Sequence, residues 1–194
     1  FDGQLVPDGD DFLLESNAKI NRVNIGRFLA GLNNFGIQSF EPKNIEGFLT
    51  ALAALKGKLL SGGELKTNSL SGAAKFKVAQ GALIDFKPIT NIGKFAFPFR
   101  NVNHIVFSDL SGNFKINGDL VDVNDLKVSS NVLNLDVNGV YSFNRGTNLA
   151  MTIPLRNPKN DELITNEAEK AEKRTKGIVL HLLAVDVDGK IKIR

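Results

Sequence analysis

The chain contains no cysteine in 194 residues. Disulfides and thiolate metal sites are therefore excluded, and the absence fits an oxidising and a reducing compartment equally well. No apolar run is long enough to span a bilayer. No signal peptide opens the chain, and there is no initiator methionine: Phe1-Asp2-Gly3-Gln4-Leu5 already reads as the inside of a folded domain. The expectation is a fragment or processed form whose anchor or export signal lies upstream. Charge of one sign is also scarce. The formal net charge is +3 at a pI of about 9.1, and the basic residues are scattered, so a nucleic-acid partner is not expected. A glycine-rich phosphate cradle is missing, because Ser61-Gly62-Gly63 is not followed by Lys-Ser/Thr.

What is present is ordinary in bulk and distinctive in pattern. Hydrophobic residues make up 42% and charged residues 23%, enough apolar material for a sizeable core. The length suits one large or two small domains; we read a single β-rich domain over 1–194. Ser71-Gly72 followed by Phe76-Lys77-Val78 and Gly81-Ala82-Leu83 is echoed by Ser111-Gly112, Phe114-Lys115-Ile116 and Gly118-Asp119-Leu120. A looser copy runs from Leu133 through Leu135, Val137 and Gly139 to Tyr141. Each copy alternates apolar and polar residues and breaks at glycine, the pattern of antiparallel strands with one wet face.

The alternation extends along most of the chain. Phe12 to Ile20 reads as a strand after a turn at Pro7-Asp8-Gly9-Asp10-Asp11. Ile25, Phe28, Leu29 and Leu32 have helical spacing, with Asn24 as N-cap. Residues 45–60 are ambiguous: Leu49 to Leu55 favours helix by propensity, while the flanking glycines favour strand and bend. Ala74, Phe76 and Val78 share a face; Ile105/Phe107 lead to Phe114/Ile116; Val121/Val123 and Leu126/Val128 bracket a bulge or bend at Asn124-Asp125. Leu149, Met151, Ile153 and Leu155 repeat the theme. Residues 159–176 read as a charged helix or linker, and 177–194 as terminal strands with a hairpin at Asp188-Gly189.

Catalytic constellations do not emerge. His104 and His181 sit in separate predicted strands, without a nucleophile elbow. Asp8, Asp10 and Asp11, and likewise Asp186 and Asp188, lack the further oxygens and closing glutamate of a calcium loop. Nothing in the spacing of Asp85, Asp109, Asp122, Asp125 and Asp136 selects a catalytic pair. Lys75, Lys77, Lys115 and Lys127 suit a solvated face or edge protection. The remaining signal is the apolar strand face. Few amphipathic helices are available to cover it, so the strands cover one another or part of the face stays open, and an open apolar face marks a ligand or partner site.

The order of features resembles the C-terminal part of the AsmA-like family, particularly its Bacteroidetes-type members. The residues that carry the resemblance are Val23-Asn24-Ile25-Gly26-Arg27-Phe28-Leu29, Asn33-Asn34-Phe35-Gly36-Ile37-Gln38, Asn44-Ile45-Glu46-Gly47, Ser69-Leu70-Ser71-Gly72, and the Gly81 to Ile89 run. Ile105-Val106-Phe107-Ser108-Asp109-Leu110, the Gly118 strand, Val128-Ser129-Ser130 and the Leu135 to Phe143 stretch complete it. The resemblance implies a periplasmic envelope protein of a Gram-negative bacterium, tethered to the inner membrane by an upstream anchor. It implies kinship with TamB and the bridge-like lipid-transfer proteins, in which acyl chains slide along a curved sheet, and a link to outer-membrane assembly and phospholipid transport. It makes 45–60 a strand. The family offers no catalytic motif, and this sequence lacks the anchor and further repeats.

The sequence thus leads us to expect a mainly β protein, its repeated antiparallel strands forming a curved, taco-like sheet or open sandwich with one or two short helices. The expected role is non-catalytic and needs no cofactor or metal. The expected partner is a phospholipid or other acyl lipid, with envelope proteins as further partners. Candidate groove residues are Phe76, Val78, Phe114, Ile116, Leu133, Leu135, Val137, Tyr141, Met151 and Ile153. The alternative is a closed β-sandwich scaffold acting by protein–protein contact in the envelope.

Overall fold

Alternation with period two gives each segment one apolar and one polar face, and consecutive segments joined by short turns pair as a meander. A computed structural model describes residues 2–31, 34, 41–87, 90, 100–161, 163–174, 176–188 and 190–194. Its ten strands are β1 (Asp2–Asp8), β2 (Asp11–Asn24), β3 (Ile45–Leu59), β4 (Leu65–Ile84), β5 (His104–Asn117), β6 (Leu120–Ser130), β7 (Asn134–Ser142), β8 (Asn148–Pro154), β9 (Val179–Val187) and β10 (Lys190–Ile193). They form one antiparallel sheet in sequence order, and β1 does not meet β10. The protein is mainly β and its sheet is open; the two-sheet, closed-sandwich alternative is not the architecture, because every strand belongs to the same sheet. Two short helices, α1 (Ile25–Gly31) and α2 (Glu167–Arg174), complete the described elements with 3-10 turns at Pro42–Asn44 and Pro158–Asp161.

Local chemistry explains the boundaries. Asn24 Oδ1 accepts the Arg27 backbone N–H at 2.9 Å, the expected N-cap of α1. Residues 45–59 are strand: the alanine-rich run has period-two burial, and its partners on both sides satisfy the backbone better than an isolated helix would. The first turn is tighter than expected. Only Gly9 and Asp10 form it, while Pro7, Asp8 and Asp11 are strand residues, because Gly9 at φ +65° closes a two-residue hairpin. The Asn124-Asp125 bulge is present, with Asp125 at φ +50° and a register shift between Val123 and Leu126. Similar shifts occur in β2, β3 and β5. In the charged 159–176 region, Asn166 Oδ1 caps α2 by accepting from Ala168 and Glu169, and Lys173–Glu169 and Lys176–Glu172 pairs stabilise its exposed side.

The first two repeats are neighbours, running in opposite directions as β4 and β5. Phe76 lies opposite Gly112, and Ala74 opposite Phe114. A Cβ on Gly112 would come within 3.1 Å of the Phe76 ring, and one on Gly81 within 2.2 Å of the Phe107 ring. Gly81 and Gly112 therefore make room for rings from the adjacent strand, while Gly72, Gly118 and Gly139 lie against backbone carbonyls. Phe76 and Phe114 meet with centroids 5.0 Å apart.

The two ends of the sheet are built differently. At one end, the connections 25–44, 85–103, 131–133 and 155–178 are mostly long; at the other, 9–10, 60–64, 118–119, 143–147 and 188–189 are short. All four connections at the first, or loop, end send apolar side chains into the core: Ile25, Phe28 and Leu29; Phe86 and Val102; Val132 and Leu133; Leu155.

Candidate functional site: the inner face of the sheet

Cross-strand pairing fixes which side chains share a face. Val78 lies opposite Leu49 and Leu110; Leu110 opposite Val128; Val128 opposite Leu135. Ile116 lies opposite Val121, Val121 opposite Tyr141, and Val137 opposite Met151. With strand alternation these pairs place Phe76, Val78, Phe114, Ile116, Leu135, Val137, Tyr141, Met151 and Ile153 on one side, the inner face. Leu133, one residue before β7, continues the same alternation. All ten candidates thus come together.

Their accessibility divides them. Val78, Leu133, Leu135, Val137 and Ile153 are buried, and Val78 and Ile153 are among the most deeply sequestered residues in the chain. They belong to the buried core, so the protein's own interior consumes them and a guest cannot reach them without displacing packed side chains. Phe76, Phe114, Ile116, Tyr141 and Met151 are only partly buried. Phe114, Ile116 and Tyr141 lie towards the hairpin end, beside buried Val121 and Val123, while Phe76 and Met151 sit mid-strand, Met151 directly opposite buried Val137. Sequence reasoning missed Leu149, Leu180 and Leu182, which join the same partly buried set through the Gly139–Leu149, Ile153–Leu180 and Met151–Leu182 pairs. Leu149 was visible in the alternation; Leu180 and Leu182 sit in the mostly apolar run Ile178 to Leu183, where His181 is the lone polar residue and the two-residue period is weak.

The half-buried stripe reaches from β4 to β9, five strand steps, or about 24 Å at ~4.8 Å per step. One acyl chain fills half of a ~30 Å bilayer core, roughly 15 Å, so the stripe is long enough for one. Aromatic packing firms it: the Tyr141 and Phe143 rings meet edge-to-face at 5.4 Å. Burial pushes the Tyr141 phenol up from its ordinary pKa, so it stays neutral at physiological pH.

The outer face carries charged pairs alongside exposed apolar side chains such as Leu13, Leu52, Val106 and Leu183. Lys77 pairs with Asp109 at 3.2 Å, and Lys56 with Glu15 at 2.8 Å. At the acidic first hairpin, Lys58 Nζ sits 2.9 Å from Asp8 and 3.4 Å from Asp11. A lysine thus supplies the positive charge there, and these carboxylates hold its pKa above the usual value. Among the described residues no group of three or more His, Asp or Glu is arranged to hold a metal ion. His104 and His181 stand on β5 and β9, with β6, β7 and β8 between them. Shallow surface depressions lie at the hairpin end. One of about 600 Å³ is lined by Asp119, Leu120, Ser142, Asn144 and Arg145, and one of about 480 Å³ by Leu65, Lys66, Asn68, Phe143 and neighbours. Neither includes any of the ten inner-face candidates. No helix among the described residues is long and apolar enough to cross a membrane.

Comparison with known proteins leaves the geometry to speak for itself: no family model, curated protein or solved structure matches the chain.

Proposed function

We propose that this chain is a non-catalytic lipid-holding module whose half-open inner face shelters acyl chains, working in the periplasm of a Gram-negative envelope in outer-membrane assembly or phospholipid transport. The observation that carries the lipid reading is the stripe of Phe76, Phe114, Ile116, Tyr141 and Met151, aligned on one face of an unclosed sheet and left partly in water. The compartment rests on the AsmA-like resemblance alone. Each methylene laid on the stripe contributes about 0.8 kcal/mol through its removal from water. The more buried loop side bounds the stripe along one flank, and the acyl chain lies across the strands on its half-open side.

The test is lipid extraction and native mass spectrometry of the purified protein, followed by titration with a fluorescent fatty acid. Co-purified phospholipid, with fatty-acid binding lost in Ile116→Glu and Met151→Glu but kept in the outer-face control Lys75→Glu, supports the reading. Clean protein with no fatty-acid affinity sinks it and leaves a scaffold acting through protein contact.

A further inference from the structure

The two edges of the sheet are complementary to each other. All seven residues of β1 and all four of β10 are exposed. On β10, Arg194 exchanges backbone hydrogen bonds with Leu183 of β9, so by alternation the N–H and C=O groups of Ile191 and Ile193 point away from the sheet. On β1, Asp8 and Asp11 close a two-residue turn and form the hydrogen-bonded pair, so Gly3, Leu5 and Pro7 point their backbone groups outward. Pro7 thus loses no bond within its own sheet.

Side chains match as well. The inner face carries Leu5 (53% exposed) on β1, and Ile191 (49%) and Ile193 (38%) on β10. The outer face carries Asp2 and Gln4 on β1, against Lys192 and Arg194 at the β10 end. β1 runs from the loop end to the hairpin end and β10 runs back. Laid side by side with faces aligned, β10 of one copy and β1 of another are therefore antiparallel. Setting Ile191 opposite Leu5 and Ile193 opposite Gly3 satisfies the outward groups of all four residues and leaves Pro7 beyond the pairing. The same register sets Arg194 opposite Asp2 and Lys192 opposite Gln4.

We infer that β1 and β10 are the two halves of a head-to-tail interface between copies of this chain, extending the sheet and its inner face from one copy to the next. Pairing of β1 with β1 would gather Asp2 and Asp8 of both copies, and β10 with β10 their lysines, so like charge disfavours either self-match. The inference does not depend on lipid binding and is tested on delipidated protein.

The experiment is sedimentation equilibrium from micromolar to millimolar concentration. Wild type is expected to grow beyond the 21.1 kDa of one chain as concentration rises. Leu5→Pro and Ile193→Pro each remove one outward N–H and none used by their own sheet. Each is expected to remain a monomer alone, and a mixture to stop at two chains, one live edge from each. A wild type that stays monomeric, an Ile193→Pro chain that dimerises with itself, or a mixture that does not pair overturns the inference. If either proline variant loses its β circular-dichroism signal, Asp2→Arg and Arg194→Asp replace them: weaker self-association in each, restored on mixing, is then expected, and no restoration overturns it.

Discussion

The loop end and the hairpin end of this sheet share strands, composition and alternation, yet their inner faces are covered to different degrees. At the loop end Ile105, Phe107 and Ile153 are at most 2% exposed. At the hairpin end Phe114, Ile116 and Tyr141 share the same face but stay partly in water beside buried Val121 and Val123. The difference lies in the connections. Long ones return apolar side chains over the sheet, while a two-residue turn such as Gly118-Asp119 has nothing to return. An apolar strand face therefore does not by itself identify a binding groove; what lies across it decides.

The sharpest way to break this comparison is a matched pair of truncations. Phe107→Ala empties a closed site and is expected to cost about 3–5 kcal/mol in urea unfolding. Phe114→Ala removes a ring already half in water and is expected to cost about 1–2 kcal/mol. Equal losses would mean that both ends are equally packed. Arg100 sharpens the account of how the loop end is held. Its guanidinium donates to the Val132 carbonyl at 2.6 Å and the Leu155 carbonyl at 3.0 Å, tying three connections together. Arg100→Ala is expected to lower stability by about 1.5–3 kcal/mol, the worth of a charge-assisted bond, and to speed amide exchange in 131–133 more than in the hairpin turns. Uniform exchange would deny the clasp.

The smallest effect is expected on the outer face. Lys56 and Gln4, through hydrogen bonds and charge, hold the Glu15 carboxyl below its ordinary range. A depressed folded-state value means that the stabilisation is present at neutral pH and fades as pH falls through the glutamate range to the folded pKa. Glu15→Gln is expected to melt slightly below wild type at neutral pH and level with it in acid. The pair lies on the solvent side of the sheet with both side chains well hydrated, so a large gap at either pH would contradict its screening by water.

Much of the architecture was legible because strand alternation is a local property. The faces of β4, β7 and β8, the Asn24 cap, the Asn124-Asp125 bulge and the terminal hairpin could all be read from neighbouring residues. The helix–strand ambiguity at 45–59 could not, because alanine and leucine suit both until partner strands are supplied. Nor could the shared face of Phe107 and Leu110, whose numbers differ in parity: the Phe107/Asp109 register shift is what aligns them. Half of the groove candidates proved to be core for a similar reason, since burial of Val78 or Ile153 depends on residues far along the chain.

By itself, then, the sequence determined the strand pattern, the existence of an apolar face and the side chains that occupy it, since a two-residue period and turn chemistry act over a few bonds. Tertiary structure alone decided that ten strands join in one unclosed sheet and that half of the groove candidates are consumed by the core while the others stay partly in water. Those outcomes depend on contacts across the chain, and no local pattern encodes which connection folds back over which strand.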